Sequence, residues 1–303
     1  MHRIKTIWKF TRPHTVIGSV ISIVTLFVII CSNNKIAHLP LLLLAIAIGI
    51  TCNIFIVGIN QIADVNIDKI NKPYLPVAAG TLTIQNAKII TYGCLLVSLG
   101  LAFYVSSFLF YIILLSAAIG WAYSMPPLHL KKHHITAALA ISIVRGILIN
   151  IGGFMVFNYI VNKSFDLPAD VKILAAFIMV FSIVISWFKD IPDMEGDSKY
   201  NISSLAIVYS AKKTFITGNA LVALTYLITI YVKYLDFMNA PSLQSNILLY
   251  GHVILLDLFI INAFVIDLQN QSSIKKFYKR FWLFFFAEYL LYLAAYSSNS
   301  FLP

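Results

Sequence analysis

Long apolar stretches alternate with short polar breaks along the whole sequence. Each stretch is about 20 residues long, enough for a helix to cross a hydrocarbon layer roughly 30 Å thick. A spanning segment must satisfy its own backbone hydrogen bonds, and these stretches are twice the length of barrel strands, so they are predicted to be helices. The nine predicted spans cover residues 14–31, 40–60, 84–106, 108–124, 135–158, 171–189, 214–232, 246–267 and 281–298.

The composition agrees with this pattern. The chain of 303 residues is 60% hydrophobic and 11% charged, with a mean hydropathy of +0.86, far from the values of a soluble domain. The predicted fold class is therefore all-α, a polytopic membrane protein of about nine transmembrane helices. Cys31, Cys52 and Cys94 lie in or beside the spans without CxxC spacing, so we expect apolar packing rather than disulfides or zinc binding.

The basic residues predict an orientation, because Lys and Arg accumulate in cytoplasmic connections. Seventeen of the 22 cations lie on one predicted side of the membrane. They are Arg3, Lys5, Lys9, Arg12, Lys69, Lys72, Lys88, Lys131, Lys132, Lys189, Lys199, Lys212, Lys213, Lys275, Lys276, Lys279 and Arg280. The amino terminus is therefore predicted to be cytoplasmic. Lys35, Lys163, Lys172 and Lys233 fall on the other side, and Arg145 lies inside a span.

The charge and the amino-terminal segment limit the partners and the location. The net charge of +10 is spread over five membrane-flanking segments, which indicates orientation and contact with anionic lipid rather than nucleic acid. The basic start runs directly into a long apolar stretch, with neither a cleavage site nor a Ser-rich, Arg-rich presequence. We therefore expect mature sequence in a prokaryotic inner membrane.

Six of the 12 acidic residues are concentrated in two short segments on the predicted cytoplasmic side. In the first segment Asn60, Asp64 and Asp68 are spaced four apart, which places them on one stripe of a helix that continues the second span. Like charges at this spacing repel, so the arrangement is unfavourable unless a cation lies between them.

The second acidic segment follows the sixth span. Asp190, Asp193 and Asp197 are predicted to share one helical face, with some distortion near Pro192 and Gly196. The repetition of D-x-x-x-D after two spans that end on the same side indicates a weak internal duplication within the single domain 1–303. Its halves would be about residues 1–130 and 131–303.

Carboxylates without nearby His or Cys favour a hard cation such as Mg²⁺, which binds one or two carboxylates, several waters and substrate phosphates. Two facing pairs could hold metal ions around a diphosphate. Lys72, in a turn-rich loop, and Lys131, after the fourth span, add positive charge on the same side. The alternatives are that the aspartates are solvated charges or helix caps, and that the lysines only mark topology.

Together, the spans and both motifs resemble the UbiA superfamily of intramembrane prenyltransferases, over nearly the whole chain. The family signature, N-D/Q-x-x-D-x-x-x-D with a later D-x-x-x-D, is matched by Asn60 to Asp68 and by Asp193 to Asp197. Gln61, NQIADVNIDKINKPYLPVAAG, FKDIPDMEGD and FTRPHTVIGS resemble the homogentisate phytyl- or geranylgeranyltransferase branch. The resemblance implies a helix bundle around a central cavity.

The resemblance also implies a mechanism. An isoprenyl diphosphate on Mg²⁺ would ionise, and an aromatic acceptor would attack the allylic carbocation, with loss of CO₂ if the acceptor is homogentisate. Lys72 and Lys131 would stabilise the departing diphosphate. The implied metal ligands are Asp64, Asp68, Asp193 and Asp197, aided by Asn60 and Asp190. The further substrate-binding candidates are Gln61, Tyr74, Arg12 and Arg145.

A carbocation needs a dry cavity and benefits from aromatic faces. Tyr74, Tyr123 and Phe188 are candidates for this role, although packing is the alternative for each aromatic residue in a chain that is 14% aromatic. The apolar tail could enter laterally from the bilayer.

Arg145, Asp257 and Glu288 lie within apparent spans, where ionisable groups usually face a cavity or a partner. Arg145 could bind the carboxylate of an aromatic acceptor, since a guanidinium binds carboxylates bidentately. The alternative is an ion pair of Arg145 with Asp257 or Glu288 that locks helices together.

Other functions and other acceptors stay open on the sequence alone. A transporter is expected to place its polar groups near the midplane, often in broken helices, whereas here they collect at one face. A membrane scaffold with aspartate caps is a third possibility. Acceptors of related enzymes include 4-hydroxybenzoate, a naphthoate, haem, chlorophyllide and glycerol phosphate lipids.

Overall fold

The computed structural model describes residues 2–32 and 38–297, and this part of the chain is helical with no β-strand. The helices are α1 (His2–Phe10), α2 (Pro13–Cys31), α3 (Leu39–Ala63), α4 (Val65–Asn71), α5 (Ile84–Val105), α6 (Ser107–Ser124), α7 (His134–Ser142), α8 (Phe154–Asn162), α9 (Ala169–Asp190), α10 (Met194–Lys199), α11 (Leu205–Tyr209), α12 (Ala211–Asn239), α13 (Leu243–Phe264) and α14 (Gln271–Ser297). A 3₁₀ turn, Leu130–Lys132, precedes α7, and a π-helical segment, Ile143–Gly153, joins α7 to α8.

Eight helical spans in the described residues are long and apolar enough to cross a membrane, with α7, the π-helical segment and α8 counted as one. The long helix α14 packs against α2, α9 and α13 and completes the bundle. The predicted all-α polytopic membrane fold is thus confirmed. Lys35 and the last residue of the predicted ninth span, at position 298, lie outside the described residues.

Several helices extend beyond the predicted spans because their polar ends are packed rather than solvated. α14 begins at Gln271 instead of residue 281, since Ile274 and Phe277 near its start are buried in the core. α12 continues to Asn239, and its Lys233 is buried in an ion pair with Asp170 of α9. Lys233 therefore lies on a helix and not in a connection.

α9 is the most buried of the eight spans and lies at the centre of the core. Its Phe181 stacks on Phe281 of α14 with ring centroids 4.4 Å apart, a separation typical of aromatic pairs. Peripheral helices instead expose large apolar side chains, such as Phe103 and Tyr104 of α5, as a surface in contact with lipid requires. Because α9 lies at the centre of the bundle, its last residue, Asp190, is surrounded by other helices.

The π-helical segment is a local break in an otherwise regular span. π-Helices are rare and occur frequently at functional sites. Here the Asn150 side-chain amide donates a 2.6 Å hydrogen bond to the carbonyl oxygen of Arg145. A Cβ atom on Gly146 would lie 1.9 Å from Cγ of Met179, so glycine allows α9 to pack closely at this point. The segment therefore gives the backbone at Arg145 a defined position.

Candidate active site

The first acidic segment lies where α3 passes into α4. Asp64 occupies the junction, yet its N–H bonds to the Asn60 carbonyl at 2.9 Å and the Asp68 N–H bonds to the Asp64 carbonyl at 2.7 Å. The helical hydrogen bonding thus continues through the junction. The Asn60 amide donates to Asp64 Oδ2 at 2.8 Å, so these two side chains lie on one face.

The second acidic segment is interrupted where the sequence predicts distortion of its helical face. α9 ends at Asp190, a turn follows, and the short helix α10 begins at Met194. Pro192 lies in this turn and has no N–H to continue the helical hydrogen bonding. The Asp197 N–H bonds to the Asp193 carbonyl at 3.1 Å. The distortion predicted near Pro192 is thus a break between two helices, and Asp190 belongs to a different helix from Asp197.

The two acidic segments are joined by contacts of two uncharged residues, Asn71 and Gly196. Asn71, the last residue of α4, donates to Asp197 Oδ1 at 3.2 Å and accepts from the Gly196 N–H at 2.9 Å. A Cβ atom on Gly196 would lie 2.4 Å from Asn71 Oδ1. Lys72 adds an ion pair to Asp193. α4 and α10 are therefore in direct contact, and both aspartate segments border one site.

Three cations besides Lys72 border this site. Lys131, in the 3₁₀ turn before α7, is 7% exposed and forms an ion pair with Asp64. Arg12, between α1 and α2, donates to Asn60 Oδ1 at 3.3 Å. Lys189 lies 3.7 Å from Asp190. The carboxylates therefore face a ring of positive charge that can also attract a phosphate.

Burial makes the ionised carboxylates unfavourable. Burial, together with the neighbouring carboxylate of Asp193, raises the pKa of Asp197 to about 6. Burial likewise raises the pKa of Asp68, whose Oδ2 has no hydrogen-bond partner among the described residues. A cation bound here would stabilise the charged forms.

The donor set fits Mg²⁺ shared with a phosphate better than a metal held by protein alone. No three Asp, Glu, His or Cys side chains converge as a ready-made metal site in the described part of the chain. Carboxylate oxygens from two segments, one of them on Asp68 without a partner, are nevertheless the hard ligands that Mg²⁺ prefers. Because Mg²⁺ retains several waters and binds substrate phosphates, a few protein ligands suffice.

A cavity of about 240 Å³ extends from this site into the bundle. Arg12, Asn60 and Lys189 line the end near the aspartates. Arg145 of the π-helical segment and Trp282 of α14 also line it. The cavity thus connects the carboxylates with a buried guanidinium.

A smaller apolar cavity of about 50 Å³ adjoins the first. The two cavities have four lining residues in common, Ile23, Gly49, Ile113 and Ile149. The smaller one lies toward the opposite ends of α2 and α3, where Ile30 and Ala45 line it. The four common residues form a neck between a polar chamber and an apolar one.

Residues 21–287 match the UbiA prenyltransferase family. The chain belongs to this family. It is 36% identical to a homogentisate phytyltransferase of Synechocystis over 96% of each chain. It is 34% identical to a chloroplastic homogentisate solanesyltransferase of Arabidopsis thaliana, over 94% of this chain and 75% of the relative. The protein is therefore an integral membrane prenyltransferase.

The fold agrees with this membership. A structure of a UbiA homolog from Archaeoglobus fulgidus, bound to GPP and Mg²⁺, superposes with a TM-score of 0.69 at 16% identity. The match covers 97% of this chain and 99% of that one. The bundle described above is thus the UbiA fold.

The aromatic candidates of this UbiA protein have three different surroundings. Tyr123 lines the cavity, and its hydroxyl accepts a hydrogen bond from Lys189. Tyr74 is 67% exposed in the loop after α4 and does not line the cavity, because its neighbours Leu75 and Val77 take the buried positions. Phe188 is buried among aromatic rings of the core, 4.8 Å from Phe281. Only Tyr123 of the three borders the cavity.

Gln61 is buried and does not line the cavity. Its amide donates a 2.7 Å hydrogen bond to the Phe10 carbonyl at the end of α1. Arg12 lies two residues further along. Gln61 therefore fixes the junction that presents Arg12 to Asn60.

The described part of the structure does not show the ion pair of Arg145 with Asp257 or Glu288 that the sequence left open. Glu288 lies 3.0 Å from Nε2 of His252, inside the α13–α14 contact, and Asp257 is exposed on α13. Neither pairs with Arg145 among the described contacts. The polar groups that lock helices together near Glu288 are thus separate from the cavity.

Asn71, Gly196 and Trp282 were not predicted as site residues, and Lys189 was predicted only to mark the orientation of the chain. The position of Lys189 could have indicated a site residue, because it ends an apolar span directly before Asp190. Asn71 and Gly196 are uncharged, and Trp282 lies in a segment rich in aromatic residues, so nothing in their local sequence distinguished them.

Proposed function

We propose that this prenyltransferase transfers a phytyl or geranylgeranyl group from its diphosphate to homogentisate in a Mg²⁺-dependent reaction. The observation that carries the proposal is the junction of α4 and α10, which sets two aspartate segments over a cavity containing a guanidinium. The names of the two homogentisate relatives support this acceptor, and a structural neighbour bound to GPP and Mg²⁺ supports the donor and the metal.

The reaction balances without another reactant. The C1–O bond of the prenyl diphosphate breaks, and its electron pair leaves with pyrophosphate. A ring carbon of homogentisate forms the new C–C bond and loses its proton. Loss of the carboxyl group as CO₂ leaves an electron pair on the side-chain carbon, which takes up one proton and becomes a methyl group.

The residues divide between the diphosphate and the cavity. Asp64, Asp68, Asp193 and Asp197 would hold Mg²⁺, with Asn60 and Asp190 in support. When bound, the metal would neutralise charge on the diphosphate. Lys72, Lys131 and Arg12 would hold the leaving group and stabilise the negative charge that develops on it. Tyr123 would present its ring to the carbocation, with its hydroxyl held by Lys189.

The closed bundle would keep water from the carbocation. The site and the amino terminus are predicted to be cytoplasmic from the distribution of the 22 cations. The location in a prokaryotic inner membrane also stays a prediction, as does the internal duplication. Gln61 would assist substrate binding indirectly, by holding the segment that carries Arg12. Tyr74 would contact substrate only at the exposed entrance of the site.

The tail would extend through the neck into the apolar chamber. Replacing Gly49 by alanine would place a methyl group 2.4 Å from Cδ1 of Ile23 and narrow this neck. We expect the preference for geranylgeranyl over geranyl diphosphate to fall roughly tenfold, measured as the ratio of kcat/KM values. In a matched control, Gly93→Ala adds its methyl group to open space and should leave the ratio unchanged. An equal loss with both diphosphates would contradict this tail path.

The test of the function uses purified protein in detergent with homogentisate labelled at the carboxyl carbon. We expect Mg²⁺-dependent release of labelled CO₂ and pyrophosphate in equal amounts, together with a prenylated lipid product, and complete loss with EDTA. Product formation from 4-hydroxybenzoate or a naphthoate, without CO₂ from homogentisate, would overturn the acceptor and retain the enzyme class.

A further inference from the structure

Arg145 is a cation within the membrane span that has no acidic partner among the described residues. Its Nη1 atom is buried without a hydrogen-bond partner. The two acidic residues predicted as its ion-pair partners do not serve as such, because Glu288 contacts His252 and Asp257 is exposed on another helix. An unpaired charge in such a place is strongly unfavourable. The described residues therefore supply no anion at this point.

The guanidinium is nevertheless held in place. Its Cζ atom lies 4.9 Å from the ring centroid of Trp282 and 5.6 Å from that of Phe285, both on α14. The Asn150 amide bonds to the Arg145 carbonyl and, at 2.8 Å, to the Tyr289 hydroxyl, which ties the π-helical segment to α14. Cation–π contacts orient a guanidinium without neutralising it. The charge is thus positioned for a ligand.

Arg145 and Trp282 both line the cavity that leads to the aspartates. The indole of Trp282 also meets the His14 ring edge-on at 5.0 Å, so the guanidinium lies beside flat aromatic surfaces. An aromatic acid fits this combination, because its ring can pack on these surfaces while its carboxylate accepts two hydrogen bonds from the guanidinium.

The diphosphate is the other anion of the proposed reaction. Lys72, Lys131 and Arg12 already hold Asp193, Asp64 and Asn60 at the aspartate end. Arg145 forms no ion pair with an aspartate among the described contacts, and its guanidinium lies over the Trp282 ring. A diphosphate bound at the carboxylates therefore leaves Arg145 available for a second, smaller anion.

We propose that Arg145 binds the carboxylate of the aromatic acceptor and makes the enzyme selective for aryl acids over neutral phenols. This inference rests on the proposed function and adds the residue that recognises the acceptor. The prenyl donor and the acceptor would then share one cavity, with the diphosphate at the aspartates and the carboxylate of the acceptor on Arg145.

The test compares homogentisate with its neutral amide, 2,5-dihydroxyphenylacetamide, which has nearly the same shape. Dissociation constants are measured with purified protein under reducing conditions. We expect the wild type to bind the acid roughly 10- to 100-fold more tightly than the amide, as for a hydrogen bond to a charged group. Arg145→Met should bind both equally, and Arg145→Lys should keep part of the preference, since lysine retains only a point charge.

Binding of geranylgeranyl diphosphate with Mg²⁺ serves as the folding control and should be unchanged in both variants. An undiminished preference for the acid in a variant that passes this control would overturn the inference. If Arg145→Met fails the control, the test rests on Arg145→Lys. In that variant the ratio of the dissociation constants of amide and acid must fall at least about threefold.

The proposed function and this inference fail in different ways. If the wild type does not prenylate homogentisate, the acid and amide of 4-hydroxybenzoate and of a hydroxynaphthoate are compared instead. A preference for the acid that depends on Arg145 would then support the inference although the proposed acceptor is wrong. If the wild type prefers no acid over its amide, the inference is overturned.

Discussion

Replacing Asp68 or Asp193 by asparagine is expected to reduce pyrophosphate release from geranylgeranyl diphosphate by at least about a thousandfold. Asparagine has nearly the same shape and still forms hydrogen bonds, so the loss reports the missing negative charge. Asp68 has a buried oxygen without a partner, and Asp193 holds Lys72 from the opposite segment. Since each residue represents one segment, both variants should fail if the two segments act on one diphosphate.

The matched control for these variants is Glu195→Gln on α10. The Glu195 side chain is 74% exposed and pairs with Lys199 at 2.9 Å, so it lies in the same segment but away from the carboxylate cluster. We expect its activity to stay within about twofold of wild type, as for most surface changes. Activity of Asp68→Asn or Asp193→Asn within tenfold of wild type would remove that residue from the site.

A second readout separates metal binding from folding. If Asp68 and Asp193 act through Mg²⁺, their asparagine variants should need a higher Mg²⁺ concentration for half-maximal activity, while the control variant should not. Thermal unfolding should show that the variants remain folded. An unchanged Mg²⁺ dependence together with low activity would point to a role in substrate positioning instead.

The span order could be predicted because lipid imposes both a length and an apolar composition on every crossing helix. The helix ends were less predictable, since packing decides them. α14 begins early because Ile274 and Phe277 reach the aromatic core, although cations surround them in the sequence. Lys233 looked like a loop residue until Asp170, far away in the sequence, supplied its partner.

The aspartate site was predictable in composition but not in geometry. Charge spacing and the distribution of cations were sufficient to place Asp64 and Asp193 at the same membrane face. The contact that joins their segments depends on two uncharged residues, and no local pattern indicates that a glycine N–H on α10 will meet an asparagine on α4. The π-helical segment at Arg145 was equally hidden, because its sequence reads as an ordinary apolar span.

Replacing Gly196 by alanine is expected to reduce activity about a hundredfold without unfolding the bundle, because shifts near 1 Å in a reacting group have effects of this size. The added Cβ atom would lie 2.4 Å from Oδ1 and 2.6 Å from Cγ of Asn71. Relief of this clash moves α10 away from α4 and carries Asp197 with it. Pyrophosphate release and thermal unfolding, measured together, test this expectation.

Two further variants show whether the clash is the cause. Gly100→Ala adds a methyl group where no atom lies within 4 Å, and because alanine favours helix it should leave activity unchanged. Asn71→Ala removes the group that the new methyl meets, together with two hydrogen bonds. The double variant of Asn71→Ala and Gly196→Ala should then be no worse than Asn71→Ala alone, which is the non-additivity expected of residues in contact. Additive losses would show that Gly196 acts independently of Asn71, and the junction of α4 and α10 would then not be what unites the two aspartate segments.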